Sequence, residues 1–297
     1  MIYTQLRILK NRLMFMAKSF HLSNSLQPFL HAKTDSIINK LIAHRPETIG
    51  AIVWPYQCKS WDARTRLKQI EQHYDVIEKC CPTLDFHVNG AMKLIDLDDL
   101  YKGLHVVIDR PKWFIREGQL VINLFLANVR IYSLAFSFAR ESGKVVAYVG
   151  ALQGRRLDGI RDIYRNFTKT MYGTRPQDFL FELFRIFCRT VGVTKIFAVS
   201  ESYRHHRSSY FANAKYFAIS TLNYDRIWLE RGGTLESQDF FVLGVEPHLK
   251  SMEEIPSNKR STYRKRYKLL KAMEARIQDA YIHLGDNCMM ESSFKSL

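Results

Sequence analysis

Cysteine is scarce, acid is outnumbered by base, and long apolar runs are missing. The 297-residue chain has five cysteines, Cys58, Cys80, Cys81, Cys188 and Cys288. Their number is odd, no Cys-x-x-Cys occurs, and a disulfide between adjacent Cys80 and Cys81 would be strained. Reduced thiols, buried or incidental, in a reducing compartment are the simplest expectation. From Met1 to Leu22, lysines and arginines interrupt the apolar residues and no cleavage site follows, so no leader peptide is expected. The closest approach to a membrane span, Leu120 to Phe138, contains Asn123, Asn128 and Arg130. It alternates apolar side chains about an Ala127-Asn128 turn, as a β-hairpin does. No internal repeat or low-complexity linker is visible. No metal is expected either, because adjacent His205 and His206 point apart on a helix or a strand.

What remains is an ordinary globular composition, 46% hydrophobic and 25% charged, enough for one large domain or two modest ones. Lys and Arg number 44 against 29 Asp and Glu, a net charge of +15, and the isoelectric point is about 9.6. Such an excess favours phosphate-bearing partners, whether nucleic acid, anionic lipid or a phosphorylated small molecule.

The stretch from Lys144 to Ser200 organises the rest. Lys144 to Leu152 reads as a buried strand rich in β-branched residues. Leu157 to Tyr172 places Ile160, Ile163, Tyr164, Phe167 and Met171 on one helical face, closed by Gly173. Thr174 is placed to cap a second helix, with Gln177 completing a capping box and Pro176 in the first turn. That helix carries Phe179, Leu180, Leu183, Phe184, Phe187 and Val191. Lys195 to Ser200 is another buried strand. Two buried strands joined by helix imply a parallel pair with a crossover. Such a pair places backbone groups and a helix N-terminus at one edge of the sheet, a natural anion pocket.

Upstream, Ile2, Leu6, Leu9, Leu13, Met16 and Phe20 share one face of a basic amphipathic helix. It either docks on an anionic membrane surface or packs on the domain. Pro28 to His44 and Trp61 to Cys80 read as helices, Ile49 to Pro55 as a short strand or turn. His73, beside the inward stripe of the second helix, reads as a core or surface group rather than a ligand. Leu104–Ile108 begins a run of strands, and Gly118–Leu126, Val129–Ala139 and Lys144–Leu152 follow as an antiparallel meander of three that enters the parallel pair. Tyr216–Asn223 and Tyr224–Glu230 follow, the latter as an aromatic strand, and Phe240–Val245 is a last strand. Pro256 to Ala280 is a second basic helix, with Tyr263, Tyr267, Leu270, Met273 and Ile277 as its packing stripe. The tail from Gly285 is expected to be loose. The expected layout is a helical region over 1–100, an α/β core over 101–250, a basic helix over 251–284 and the tail over 285–297.

Glu201, His205 and His206 fall just after the second parallel strand, at the strand ends where open sheets place ligands. They are the best acid/base candidates, with Tyr224 and Asp225 reaching the same cleft. Lys259, Arg260, Arg264 and Lys265 open the second basic helix, where such cation density attracts phosphates.

Four segments carry a family resemblance: Gly150-Ala151-Leu152-Gln153-Gly154, Tyr172-Gly173-Thr174-Arg175-Pro176, Tyr224-Asp225-Arg226-Ile227-Trp228 and Ser257 to Tyr267. Together and in this order they resemble the VirK/YbjX family of Gram-negative bacteria, from about Trp54 to Tyr281. The resemblance implies a part in virulence, envelope integrity and resistance to cationic antimicrobial peptides. The predicted order of elements also resembles that of GNAT acyltransferases, so the fold expected is α+β: a mixed sheet, meander plus central parallel pair, with flanking terminal helices. That resemblance implies an acyl-CoA or aminoacyl-tRNA donor, its phosphates at Gly173, Thr174 and Arg175. The Gln/Arg-x-x-Gly-x-Gly/Ala signature of GNAT enzymes is absent, and an extra helix precedes Thr174. Two other readings stand beside a transferase. One is a non-catalytic protein, cytoplasmic and peripheral on the inner membrane, held by its basic terminal helices. The other is a nucleic-acid binder, for which no known motif is visible.

Overall fold

The computed structural model of the chain describes residues 2–211, 222–247 and 249–283, with residues 2–10 as backbone only. The segment Tyr216–Thr221, the tail from Gly285 and Cys288 lie outside the described residues.

Among the described residues an eight-stranded mixed sheet runs in the order β1-β2-β3-β4-β5-β6-β8-β7. Its strands are β1 (Ala91–Asp96), β2 (Leu104–Asp109), β3 (Leu120–Leu126), β4 (Val129–Glu141), β5 (Lys144–Gly154), β6 (Lys195–Val199), β7 (Thr234–Leu235) and β8 (Phe240–Leu243). Only the β5–β6 contact is parallel; every other neighbour is antiparallel. The class is therefore α+β. β4 and β5 are joined by Ser142 and Gly143, with φ of 49° and 79°. Positive φ at both positions matches the twist of a tight hairpin, and glycine takes it without strain.

The helices are α1 (Ile2–His21), α2 (Ser23–Leu30), α3 (Ile37–His44), α4 (Ala63–Cys80), α5 (Ile160–Thr170), α6 (Pro176–Thr190), α7 (Tyr224–Leu229) and α8 (Ser257–His283). Among the described residues none is long and apolar enough to cross a membrane. Asp62 starts α4 by accepting the Thr65 N–H at 2.7 Å. α4 packs on β4 through His73, whose Nδ1 accepts the Phe138 N–H at 2.9 Å. Burial holds that imidazole neutral, so His73 is a core group. α6 is buried over most of its length and sets Phe184 against Phe136, ring centres 4.9 Å apart. α8 closes over α6 with Leu269, Met273 and Ile277, and Arg189 of α6 grips Glu274. One continuous apolar cluster runs from Leu22 to Ile277.

Several expectations need correction. The stretch Pro28–His44 is two helices, because Ser36 starts a fresh one by accepting the Asn39 N–H. Pro46–Ile52 is a 3₁₀ helix, not a strand. The sheet begins earlier than read, at β1, an edge strand whose half-exposed residues show no clean alternation. Tyr224–Leu229 is helical, since Asn223 accepts the Arg226 N–H and nucleates a turn. Thr174 does not cap α6. Arg175 holds the cap position, no side chain caps it, and Gln177 accepts from the Tyr132 hydroxyl instead.

Candidate active site

The parallel contact is short, pairing Val146–Val149 with Lys195–Ala198. β5 continues to Gly154 while β6 stops at Val199. Among the described residues no pairing joins the two strands beyond Val149 and Ala198, and the C-terminal end of such a pair is where sheets of this kind leave room for ligands. Gly150 sits just past the last pair as the extra residue of a bulge, since Ala135 faces Ala151 and Phe136 faces Val149. A Cβ at position 150 would lie 2.0 Å from the Glu117 carbonyl oxygen. Only glycine admits so close a backbone.

Loops from distant parts of the chain close over this point. Gln57, held at φ 50°, donates its Nε2 to the Glu117 carbonyl at 3.1 Å and to the Tyr148 carbonyl at 3.0 Å. Its backbone N–H reaches Arg116 O, and its own carbonyl accepts the His205 N–H. The Glu117 and His205 side chains are thereby brought together, Oε1 to Nε2 at 3.6 Å, 9% and 8% exposed. Burial pushes the Glu117 carboxyl up to about 7, against the pull of Arg116 and Arg204. Burial, helped by the charges of His206, Arg204 and Arg116, drives His205 well below its usual range. Near neutral pH the pair is thus a carboxyl poised between its two forms beside a neutral imidazole. Glu117 Oε2, His205 Nδ1 and Gln57 Oε1 have no hydrogen-bond partner among the described residues. Buried polar atoms ordinarily have one. Three at the open end of a parallel pair suit a ligand's polar groups.

The residues singled out in the sequence divide between this cleft and another surface. Glu201, His205, His206, Tyr224 and Asp225 gather beyond β6. Asp225 accepts the Glu201 N–H at 2.7 Å. Burial works to raise the Glu201 carboxyl, but Arg207, Arg204 and the Tyr224 N–H outweigh it and hold it charged. So Glu201 fixes the loop, whereas Glu117 is the carboxyl with a near-neutral proton. His206 is lowered to about 4 by burial and by Arg204 and Arg207. The Tyr224 hydroxyl bridges the Leu152 N–H and carbonyl at 2.8 and 3.0 Å. It satisfies the edge of β5 as a neighbouring strand would. Arg204 lies 3.8 Å over the Tyr224 ring.

Gly173 closes α5 at φ 78°. Arg175 is engaged by Asp178 at 2.6 Å and Glu230 at 3.1 Å, which raises its pKa further. Thr174 Oγ1 is buried and has no hydrogen-bond partner among the described residues. Helix α8 meets this turn: Arg266 donates to the Tyr172 carbonyl at 2.9 Å and Lys265 lies 5.9 Å over the Tyr172 ring. Lys259, Arg264 and Lys265 are exposed, and Arg260 donates to the Ile255 carbonyl. Among the described residues none of these cations touches Glu117 or His205.

Residues 4–279 match the family model described as protein of unknown function, DUF535. The chain is 24% identical over 247 residues to YbjX of Escherichia coli K12, described as uncharacterized, covering 80% of this chain and 73% of that one. This chain belongs to the VirK/YbjX (DUF535) family. Two uncharacterized proteins of Haemophilus influenzae are 30% and 29% identical to it, over 52% and 54% of this chain and 49% and 53% of their own. The chain thus spans about half the length of those two relatives. No solved structure matches it.

In this VirK/YbjX chain Glu117, Arg116, Gln57 and Arg204 are the site residues that sequence reasoning missed. Arg116-Glu117-Gly118 has the look of a polar turn. The structure shows Gly118 at a close backbone approach, where a Cβ would lie 2.5 Å from Phe136 N, but no local sequence signal announces it.

Proposed function

We propose that this protein is a transferase of the acyl or aminoacyl type, with Glu117 and His205 handling the proton. The observation that carries the proposal is the buried Glu117–His205 pair where the β5–β6 pairing ends. Strand order supports the class of reaction. A meander, β2 to β5, leads through α5 and α6 into parallel β6, and β8 then lies between β6 and β7. That order is similar to the order of elements in the GNAT acyltransferases. In the reaction, an amine or hydroxyl of the acceptor attacks the acyl carbon and its proton passes to Glu117. The bond from the carbonyl to its carrier breaks, and the carrier leaves with a proton that Glu117 returns. His205, neutral, accepts or donates a hydrogen bond beside it.

The donor is acyl-CoA or aminoacyl-tRNA. An extended donor chain would compete with Tyr224 for the Leu152 N–H and carbonyl, so its entry displaces that hydroxyl. The family resemblance supplies the setting: modification of an envelope component that strengthens resistance to cationic peptides. The test is to incubate the purified chain with a series of acyl-CoAs and charged tRNAs, each with a simple amine or alcohol as acceptor, and follow release of the free carrier. Wild type should discharge one donor class, with a rate rising through about pH 7 as Glu117 ionises. Glu117→Gln should lose roughly a hundredfold or more. Equal discharge by the two proteins would overturn the assignment.

A further inference from the structure

Helix α1 turns its apolar stripe away from the protein. Leu13, Met16 and Phe20 succeed one another at steps of three and four, hence on one face, and are 58%, 66% and 89% exposed. The opposite face makes the contacts. Asn11 donates to the Tyr210 hydroxyl at 3.4 Å, Lys18 to the Ile52 carbonyl at 3.1 Å, and Met14 packs on the core. A helix serving only the fold would show the reverse, apolar side in and polar side out. Single exposed apolar residues are ordinary; a row of three on one helix face marks a contact surface.

The occupant is selected by charge. Before Asp35 the sequence holds Arg7, Lys10, Arg12, Lys18 and Lys33 and no acid at all. A second copy of the chain would bring the same unrelieved cations face to face and repel. An anionic lipid surface attracts them and also dissolves the apolar stripe.

We propose that α1 lies in the plane of an anionic membrane surface, with Leu13, Met16 and Phe20 at the acyl boundary and Arg12 among the lipid phosphates. The proposal is independent of any transfer reaction. It differs from docking through α8, whose stripe of Leu269, Met273 and Ile277 is buried against the fold.

The test is flotation of the full chain with vesicles of phosphatidylcholine alone or mixed with phosphatidylglycerol. Wild type should float with the anionic vesicles and far less with the neutral ones. The pair Met16→Glu and Phe20→Glu should lower partitioning roughly a hundredfold, with circular dichroism and melting temperature unchanged, since both residues face solvent. Arg12→Gln should weaken binding to anionic vesicles only. Equal flotation by the double variant would overturn the proposal, as would no flotation of wild type. So would a wild-type dimer that the same substitutions split, with no lipid binding, because the face would then join copies.

Discussion

Glu117 keeps its proton because water is kept from it. In the unfolded chain the carboxyl ionises near 4.5, and in the fold near 7. Between those values the folded state binds more protons. Its contribution is therefore full below the lower pH and lost as pH rises through the higher, about 3 kcal/mol in all. His205 and His206, both depressed, act oppositely, favouring the fold above their ordinary pKa and less as pH falls. Comparing wild type with Glu117→Gln removes most of that background. Urea melts at pH 5 and pH 8 should show the variant gaining on wild type at the higher pH; a constant difference would exclude a titrating Glu117. None of this was legible locally. Flanked by Arg116 and Gly118, Glu117 reads as a surface turn. Its burial is built by Gln57, Arg204 and His205, far away in sequence, and only their meeting makes a carboxyl there unusual.

Strands and long helices were legible because each carries its own period. β2 to β6 and β8 show β-branched and aromatic runs, α4 and α6 show stripes at three and four. What escaped were elements whose cause is a single contact. α7 contains Ile227 and Trp228 and passes for a strand until the cap by Asn223 is seen. The bulge at Gly150 is set by the passing backbone of Glu117. Gly150→Ala should therefore cost about 3 kcal/mol through overpacking and spoil the site together with the strand. Gly143→Ala makes the control: φ there is 79° but nothing lies within 4 Å of the added carbon, so about 1 kcal/mol of backbone strain is expected. Denaturant melts that gave equal losses would remove the close approach from the explanation. The packing of α8 can be weighed likewise. Met273 is 1% exposed, and Met273→Ala should cost about 2–4 kcal/mol. Loss of that size would show the helix to be part of the core rather than an appendage held by charge.

Across the whole molecule the balance of charge opposes compactness. Lys259, Arg264, Lys265, Lys268 and Lys271 are all exposed on α8, and none is in an ion pair among the described residues. Pairs that do exist, such as Arg276 with Asp99 and Lys102 with Asp98, lie at the surface, where solvent and salt screen them and leave them contributing little. Added salt weakens those pairs and also screens the repulsion of a +15 chain. The second effect should win, because unpaired cations outnumber the pairs they could form and repulsion reaches further than contact. Raising salt from about 0.01 M to 0.1 M shortens the screening length from ~30 Å to ~10 Å, less than the span of α8. The melting temperature should rise by about 4 °C over that range. Lys265→Glu with Lys268→Glu should flatten the rise by removing repulsion beforehand, while leaving α8 packed through Leu269, Met273 and Ile277. A melting temperature that fell with salt would mean that the ion pairs, not the excess, govern the electrostatics. The basic face of α8 would then be no ready seat for phosphate.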